Sequence, residues 1–213
     1  MIKFIFFDVA QTLLWKPTVY SEVKAFCKKN GVNITNDEII KRHRILSEVT
    51  HFPDKTSKEF YINFNYKLLL ALGFAATKNL AEELFNNCSY KPWSAFEDCL
   101  AIKDLNVQVG VLSNWDKSLA DKLSEFFPQI QFAEMVISSV VGYQKPSQEI
   151  FDHAIKASGV EPSEIIFVGD SIRLDYVPAR DAGIRSVLLD RDKVFEGFNG
   201  ERIESIQQLK DII

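Results

Sequence analysis

Three polar residues stand directly behind short apolar runs. Asp8 follows residues 2–7, Ser113 follows residues 107–112, and Asp170, with Gly169 before it, follows residues 165–168. Apolar runs this short, bounded by polar or turn residues, read as buried strands. In an open parallel sheet, ligands bind in the crevice beyond the carboxyl ends of the strands. Two carboxylates and a hydroxyl from distant positions would therefore meet at one edge, and their convergence points to an active site. Singly, each residue has an ordinary structural role. Asp8 could be a turn residue or N-cap, Ser113-Asn114 a cap, Lys145-Pro146 a solvated loop and Asp170-Ser171 a helix start. Only their combination carries chemistry.

Those residues need a sheet to hold them, and the rest of the chain supplies one. From Thr18 to about Cys88 the pattern is helical. Tyr20, Val23 and Phe26 recur at helical spacing with Gly31 as a stop signal, and Thr35 or Asn36 can cap a helix carrying Ile39, Ile40, Leu46 and Val49. Phe60, Phe64, Leu68 and Leu72 mark another helix, closed by Gly73, and Leu80, Leu84 and Phe85 a fourth. After Pro92 the pattern alternates. It predicts helices over 94–105, around Leu119, Leu123 and Phe126, after Pro146, and over 176–182. Strands are predicted at 107–112, 135–137, 165–168 and 184–189. Such alternation with short connections implies a parallel sheet with helices on both faces. The expected fold is α/β: a doubly wound, Rossmann-like core from residues 1–15 plus 91–213, with an all-helical cap domain at 16–90.

In this context four segments resemble the motifs of the haloacid dehalogenase-like hydrolase superfamily. They are Asp8-Val9-Ala10-Gln11-Thr12, Ser113-Asn114, Lys145-Pro146, and Gly169-Asp170-Ser171 with Asp175, in that order along nearly the whole chain. The resemblance implies a phosphatase-type, Mg²⁺-dependent hydrolase acting on a small phosphorylated substrate. Asp8 would attack phosphorus and form an aspartyl-phosphate. Asp8, Asp170 and the Ala10 backbone carbonyl would bind Mg²⁺, a hard cation that prefers oxygen. Ser113 and the Asn114 backbone N–H would donate to phosphate oxygens, and Lys145 would neutralise charge on the nucleophile and the transferring group. Thr12, Ser171 and Asp175 would support these groups from close by.

The pattern breaks at two places. Phosphatases of the superfamily usually carry a second Asp two residues after the nucleophile, where it protonates the leaving alcohol and deprotonates water, although some relatives lack it. Here that position is Ala10. The implied metal ligand survives, being a carbonyl, and substrates with good leaving groups would be favoured. Gln11 stands where Gly would be expected. An Ala at position 10 also suits a phosphonatase-like C–P hydrolase, which needs a cap lysine. Lys41, Lys55, Lys58 and Lys67 are candidates without a recognisable motif. Haloacid dehalogenation would require Tyr at position 10 and dispense with the Gly169-Asp170 pair. A non-catalytic scaffold holding metal or phosphate is the remaining alternative.

Composition narrows the partners. A formal charge of −4 with no long basic run gives no nucleic-acid footprint. The first apolar run is too short for a membrane span, so no membrane association is expected. Cys27, Cys88 and Cys99 lack metal-ligand spacing and read as reduced thiols, which with the absence of a leader suggests a cytoplasmic protein. The seventeen Phe read as packing. His43, Arg44, Lys55 and Tyr61 are polar candidates for substrate contact from the helical segment, and they name no substrate.

Overall fold

A computed structural model describes residues 1–52 and 56–213. The chain divides into two compact units: Met1–Trp15 together with Ala95–Ile213, and Lys16–Ser94.

In the first unit, Phe4–Phe7 forms β1, with all four side chains buried. A strand covered on both faces has to be apolar throughout, and this one is. After the short strands Leu14–Trp15 (β2) and Ser94–Ala95 (β3) come Gln108–Ser113 (β4), Glu134–Ile137 (β5), Ile165–Gly169 (β6), Arg185–Leu189 (β7) and Arg202–Ile203 (β8). The main sheet runs β5-β4-β1-β6-β7-β8 and every neighbouring pair is parallel. Helices flank it, as the strand–helix alternation predicts.

Strand β1 lies between β4 and β6, with Phe7 level with Val111 on one side and Val168 on the other. The ends of these three strands are what bring Asp8, Ser113 and Asp170 to one edge. Gly110 permits the close approach of β4 and β5, since a Cβ there would stand 2.7 Å from the Glu134 carbonyl oxygen. Ile150, Phe151 and Ala154 pack against Phe4, Phe6, Leu112 and Phe167 under the sheet. They form one face of a helix that begins at Gln148 and ends at Gly159, where φ is +68°.

Two helix expectations need correction. Residues 94–105 are not α-helical: Ser94–Ala95 is extended and Glu97–Asp104 forms a 3₁₀ helix. Its buried residues Cys99 and Ile102 are three apart, the 3₁₀ repeat. The segment 176–182 begins earlier, as a π-helical turn over Ile172–Tyr176, and becomes α-helical only over Val177–Asp181. Pro178 has no N–H to offer the Leu174 carbonyl, so the α pattern cannot run through this point. The short helix Ser138–Val141, strand β8 and the 3₁₀ helix Ile206–Asp211 carry no periodic signal long enough to foresee.

The second unit holds helices Pro17–Lys29 (α1), Asn36–Val49 (α2), Lys58–Ala71 (α3) and Lys78–Cys88 (α4). Thr35, Ser57 and Thr77 each cap a helix by accepting a first-turn backbone N–H. His43 lies edge-on to Tyr20 and Phe64, with ring centroids 5.5 and 5.2 Å away. Burial, helped by neighbouring Arg44, lowers its pKa to about 4, so the imidazole is a neutral packing group at neutral pH. Arg44 is buried and Tyr61 exposed, while Lys55 lies outside the described residues. Among the described residues, no helix is long and apolar enough to cross a membrane. All three cysteines are free thiols.

Candidate active site

Asp8 is fixed at the end of β1 by its backbone N–H, which donates to the Val168 carbonyl at 2.9 Å. Its side chain is buried and receives two donors on one oxygen. Ser113 Oγ donates to Oδ1 at 3.2 Å and Lys145 Nζ at 2.6 Å. Among the described residues no donor reaches Oδ2, which leaves that oxygen open. Lys145 Nζ also donates to Asp175 Oδ1 at 2.5 Å, and Asp175 Oδ2 accepts from the Ser171 backbone N–H at 3.0 Å. Both Asp175 oxygens are therefore engaged.

The lysine is pinned from its main chain. Its backbone N–H donates to Asn114 Oδ1 at 2.7 Å, and its carbonyl accepts from Asn114 Nδ2 at 2.9 Å. Thr12 Oγ1, fully buried, donates to Asp170 Oδ1 at 3.4 Å. Ser171 Oγ accepts from the Leu174 backbone N–H at 2.9 Å, so this residue is also the helix start that it resembles in isolation. Gly169 has a local reason: a Cβ there would collide with the Asp175 carboxylate.

Carboxylate oxygens of Asp8, Asp170 and Asp175 lie within 4.8 Å of one another. Lys145 bonds two of these carboxylates, Asp8 and Asp175, with one ammonium, so this pair carries more negative charge than the lysine supplies. Burial raises the Asp175 pKa to about 7. Lys145 opposes the shift, and the charges of Asp8 and Asp170 add to it. Burial works against the Lys145 ammonium too, but Asp175 and Asp8 outweigh it and hold its pKa above the ordinary lysine value.

A cation is the natural complement to this charge, and the donors fit a hard one. Among the described residues no donor reaches Asp8 Oδ2, and the Asp170 carboxylate offers an oxygen within 4.8 Å of the Asp8 carboxylate. In the loop after Asp8, the Val9 carbonyl accepts from the backbone N–H groups of Thr12, Leu13 and Leu14, and the Leu14 carbonyl from that of Gln11. The Gln11 carbonyl accepts from Arg191, and the Leu13 carbonyl from the Phe96 N–H. Cys99 Sγ lies 3.9 and 3.6 Å from the Thr12 and Leu13 carbonyl oxygens. Among the described residues no donor reaches the Ala10 carbonyl.

The motif residues Asp8, Ala10, Thr12, Ser113, Asn114, Lys145, Asp170, Ser171 and Asp175 belong to the first unit, whereas His43, Arg44 and Tyr61 belong to the second. What sequence reasoning missed is the support behind the loop: Arg191, Asp98 and Phe96. The rule that a polar residue after an apolar strand marks the site also selects Asp190, directly before Arg191. Asp190 is instead a turn residue, accepting from the Val194 and Phe195 backbone N–H groups at 2.8 and 3.0 Å.

A parallel α/β sheet whose central strand tips assemble three carboxylates around a buried lysine defines the class. The chain belongs to the haloacid dehalogenase-like hydrolases, whose family model matches residues 2–183. It is 28% identical over 239 aligned positions, covering all of both chains, to a glyceraldehyde 3-phosphate phosphatase of Methanothermobacter thermautotrophicus. Among solved structures it resembles the HAD-hydrolase YfnB of Bacillus subtilis bound to magnesium, at TM-score 0.62 and 18% identity over 99% of this chain and 98% of that one. It also resembles a 2-haloacid dehalogenase of Pseudomonas syringae pv. Tomato DC3000, at TM-score 0.57 and 19% identity over 100% and 98%. The fold is thus shared with a dehalogenase, and the reaction has to be argued from the site.

Proposed function

We propose that this chain is a Mg²⁺-dependent phosphatase acting on a small phosphorylated metabolite, with Asp8 as nucleophile and a preference for good leaving groups. The observation that carries the proposal is the asymmetry of Asp8. Ser113 and Lys145 occupy Oδ1, while among the described residues no donor reaches Oδ2 or the Ala10 carbonyl, and carboxylate oxygens of Asp8 and Asp170 lie within 4.8 Å of each other. Asp8, Asp170 and that carbonyl would hold the cation. When bound, Mg²⁺ would offset the excess carboxylate charge and polarise a phosphoryl oxygen.

The chain's own groups account for the remaining chemistry. The Asp8 carboxylate attacks phosphorus, the new O–P bond forms an aspartyl-phosphate, and the bond from phosphorus to the leaving oxygen breaks. Lys145, bridging Asp8 and Asp175, orients the carboxylate and faces the charge that develops on the transferring group. Water then attacks phosphorus, the Asp8 O–P bond breaks to restore the carboxylate, and the water's proton passes to solvent as phosphate is released. At residue 10 the side chain is a methyl group, which can neither protonate the departing oxygen nor deprotonate the water. A general acid/base contributes about a hundred- to ten-thousand-fold in rate. An alkoxide leaving group therefore suffers the most from its absence and a stabilised anion the least. Gly169-Asp170 and the absence of Tyr at position 10 set the site apart from the metal-independent dehalogenation described above. The Methanothermobacter relative is a glyceraldehyde 3-phosphate phosphatase, which makes glyceraldehyde 3-phosphate the first metabolite to try.

The test compares p-nitrophenyl phosphate with a simple alkyl phosphate, with and without Mg²⁺, for this chain and Ala10→Asp. The expected result is Mg²⁺-dependent turnover of the activated ester by both proteins, with the alkyl ester accelerated about a hundred- to ten-thousand-fold by the substitution. If neither protein hydrolyses any ester while Mg²⁺ still binds, the phosphatase assignment is wrong.

A further inference from the structure

The loop that follows Asp8 is held from behind by a bracket outside the four motifs. Arg191, just beyond β7, donates from Nη1 to the Gln11 carbonyl at 3.2 Å. The same guanidinium forks onto Asp98, with Nη2 2.7 Å from Oδ1 and Nε 3.2 Å from Oδ2. It lies 3.9 Å over the Phe96 ring, which in turn stacks on Trp15 at 4.9 Å and 12°. Asp98 is fixed by Ser205 Oγ at 3.1 Å and the Ile206 N–H at 2.9 Å. Side chains of Arg191 and Asp98 are each 15% exposed, so the fork is shielded from water. A planar, bidentate and stacked arginine is rigid in a way that a lysine at the same place would not be.

The residue this bracket grips is under backbone strain. Gln11 has φ of +65°, the left-handed region, which costs a residue with a Cβ about 1–2 kcal/mol. Something must hold it there, and Arg191 bonds the carbonyl of that same residue. The peptide before it ends in the Ala10 carbonyl, the one backbone oxygen of residues 9–14 that no described donor reaches. Its direction is set by the backbone on either side: the strand end at Asp8 and the bracketed Gln11.

We infer that Arg191, held by Asp98 and Phe96, is a positioning residue that fixes the Gln11 peptide and so presents the Ala10 carbonyl to the bound cation. This rests on the proposed cation site at Asp8, Ala10 and Asp170. Groups that orient metal ligands from behind typically change metal affinity ten- to a hundred-fold when removed.

The experiment measures Mg²⁺ affinity by titration calorimetry on the full chain, for the unsubstituted protein, Arg191→Met, Arg191→Lys, Asp98→Asn, Asp170→Asn and Arg185→Met. Arg185 pairs with Glu201 and the Ile212 carbonyl, away from the loop, and serves as the control for generic loss of stability. Expected is a ten- to hundred-fold weaker Mg²⁺ affinity for Arg191→Met, a smaller loss for Arg191→Lys and Asp98→Asn, and no change for Arg185→Met. Adding Gln11→Gly to Arg191→Met should restore part of the affinity, because glycine removes the strain that the bracket opposes. If Arg191→Met does not fold, Asp98→Asn with and without Gln11→Gly supplies the same comparison. If Asp170→Asn abolishes Mg²⁺ binding while Arg191→Met and Asp98→Asn leave it unchanged, the bracket has no positioning role. If Asp170→Asn binds Mg²⁺ as well as the unsubstituted chain, the cation site itself is misassigned.

Discussion

Replacing Lys145 with Met tests how the charges at the strand edge are balanced. Met approximates the length of the aliphatic stem and removes the ammonium. The side chains involved are 3% exposed for Lys145, 8% for Asp8 and 2% for Asp175, and the ion-pair distances are 2.6 and 2.5 Å. Breaking a buried pair leaves its partners desolvated and uncompensated, a loss of about 3–5 kcal/mol. That is a large part of the roughly 5–15 kcal/mol by which a domain is stable. The loss should depend on pH, and its sign follows from Asp175. Its pKa is already raised to about 7 in the folded chain against 3.8 ordinarily, and removing the lysine raises it further. A carboxyl with a higher pKa in the folded state binds more protons folded than unfolded, so stability falls as pH rises between the two values. Urea unfolding without divalent ions, followed by tryptophan fluorescence, should therefore show a smaller loss at pH 5.5 than at pH 8. Adding Asp175→Asn removes one uncompensated charge and should recover part of the loss at pH 8. A loss below about 1 kcal/mol at pH 8, or one equal at the two pH values, would refute the claim that burial makes this lysine indispensable.

Two further outcomes are expected. Apparent Mg²⁺ affinity should rise up to about tenfold from pH 6 to pH 8, because the cation favours the ionised form of Asp175 and one proton is linked to its binding; a flat calorimetric profile would contradict this. Gly110→Ala should lower stability by about 1–3 kcal/mol in denaturant unfolding, since the new Cβ meets the Glu134 backbone rather than a yielding side chain; an unchanged midpoint would mean that β4 and β5 can separate freely.

Much of the site was legible because it hangs on strand ends. Residues 2–7, 107–112 and 165–168 are apolar enough to read as buried strands, and parallel pairing then dictates that whatever follows them shares an edge. Asp190 shows the limit of that rule. It too follows an apolar strand, yet it caps a turn, and only the joint pattern with Ser113, Lys145 and Asp175 separates the cases. The local geometry was less legible. The 3₁₀ helix over Glu97–Asp104 buries residues three apart and the π turn over Ile172–Tyr176 precedes Pro178, and a search for a 3.6-residue pattern passes over both. Asp98, Phe96 and Arg191 left no signal because their partners are far off in sequence, Arg191 and Asp98 being 93 positions apart, and belong to no repeating pattern.

Residue 10 separates two roles that a single amino acid can carry. On the proposed function its main chain offers an oxygen to the cation, and its side chain, in relatives with Asp there, moves protons. Substitution to Ala erases only the second. The carbonyl remains because the loop is fixed by bonds at Val9, Gln11, Leu13 and Leu14, none of which involves the residue 10 side chain. Loss of the proton donor therefore need not loosen the cation site, and the Asp8, Lys145 and Asp175 arrangement stands independently of it. What changes is the set of phosphate esters within reach, since the leaving group must now depart with less help. On the proposed function, such a site would favour the more acidic leaving groups.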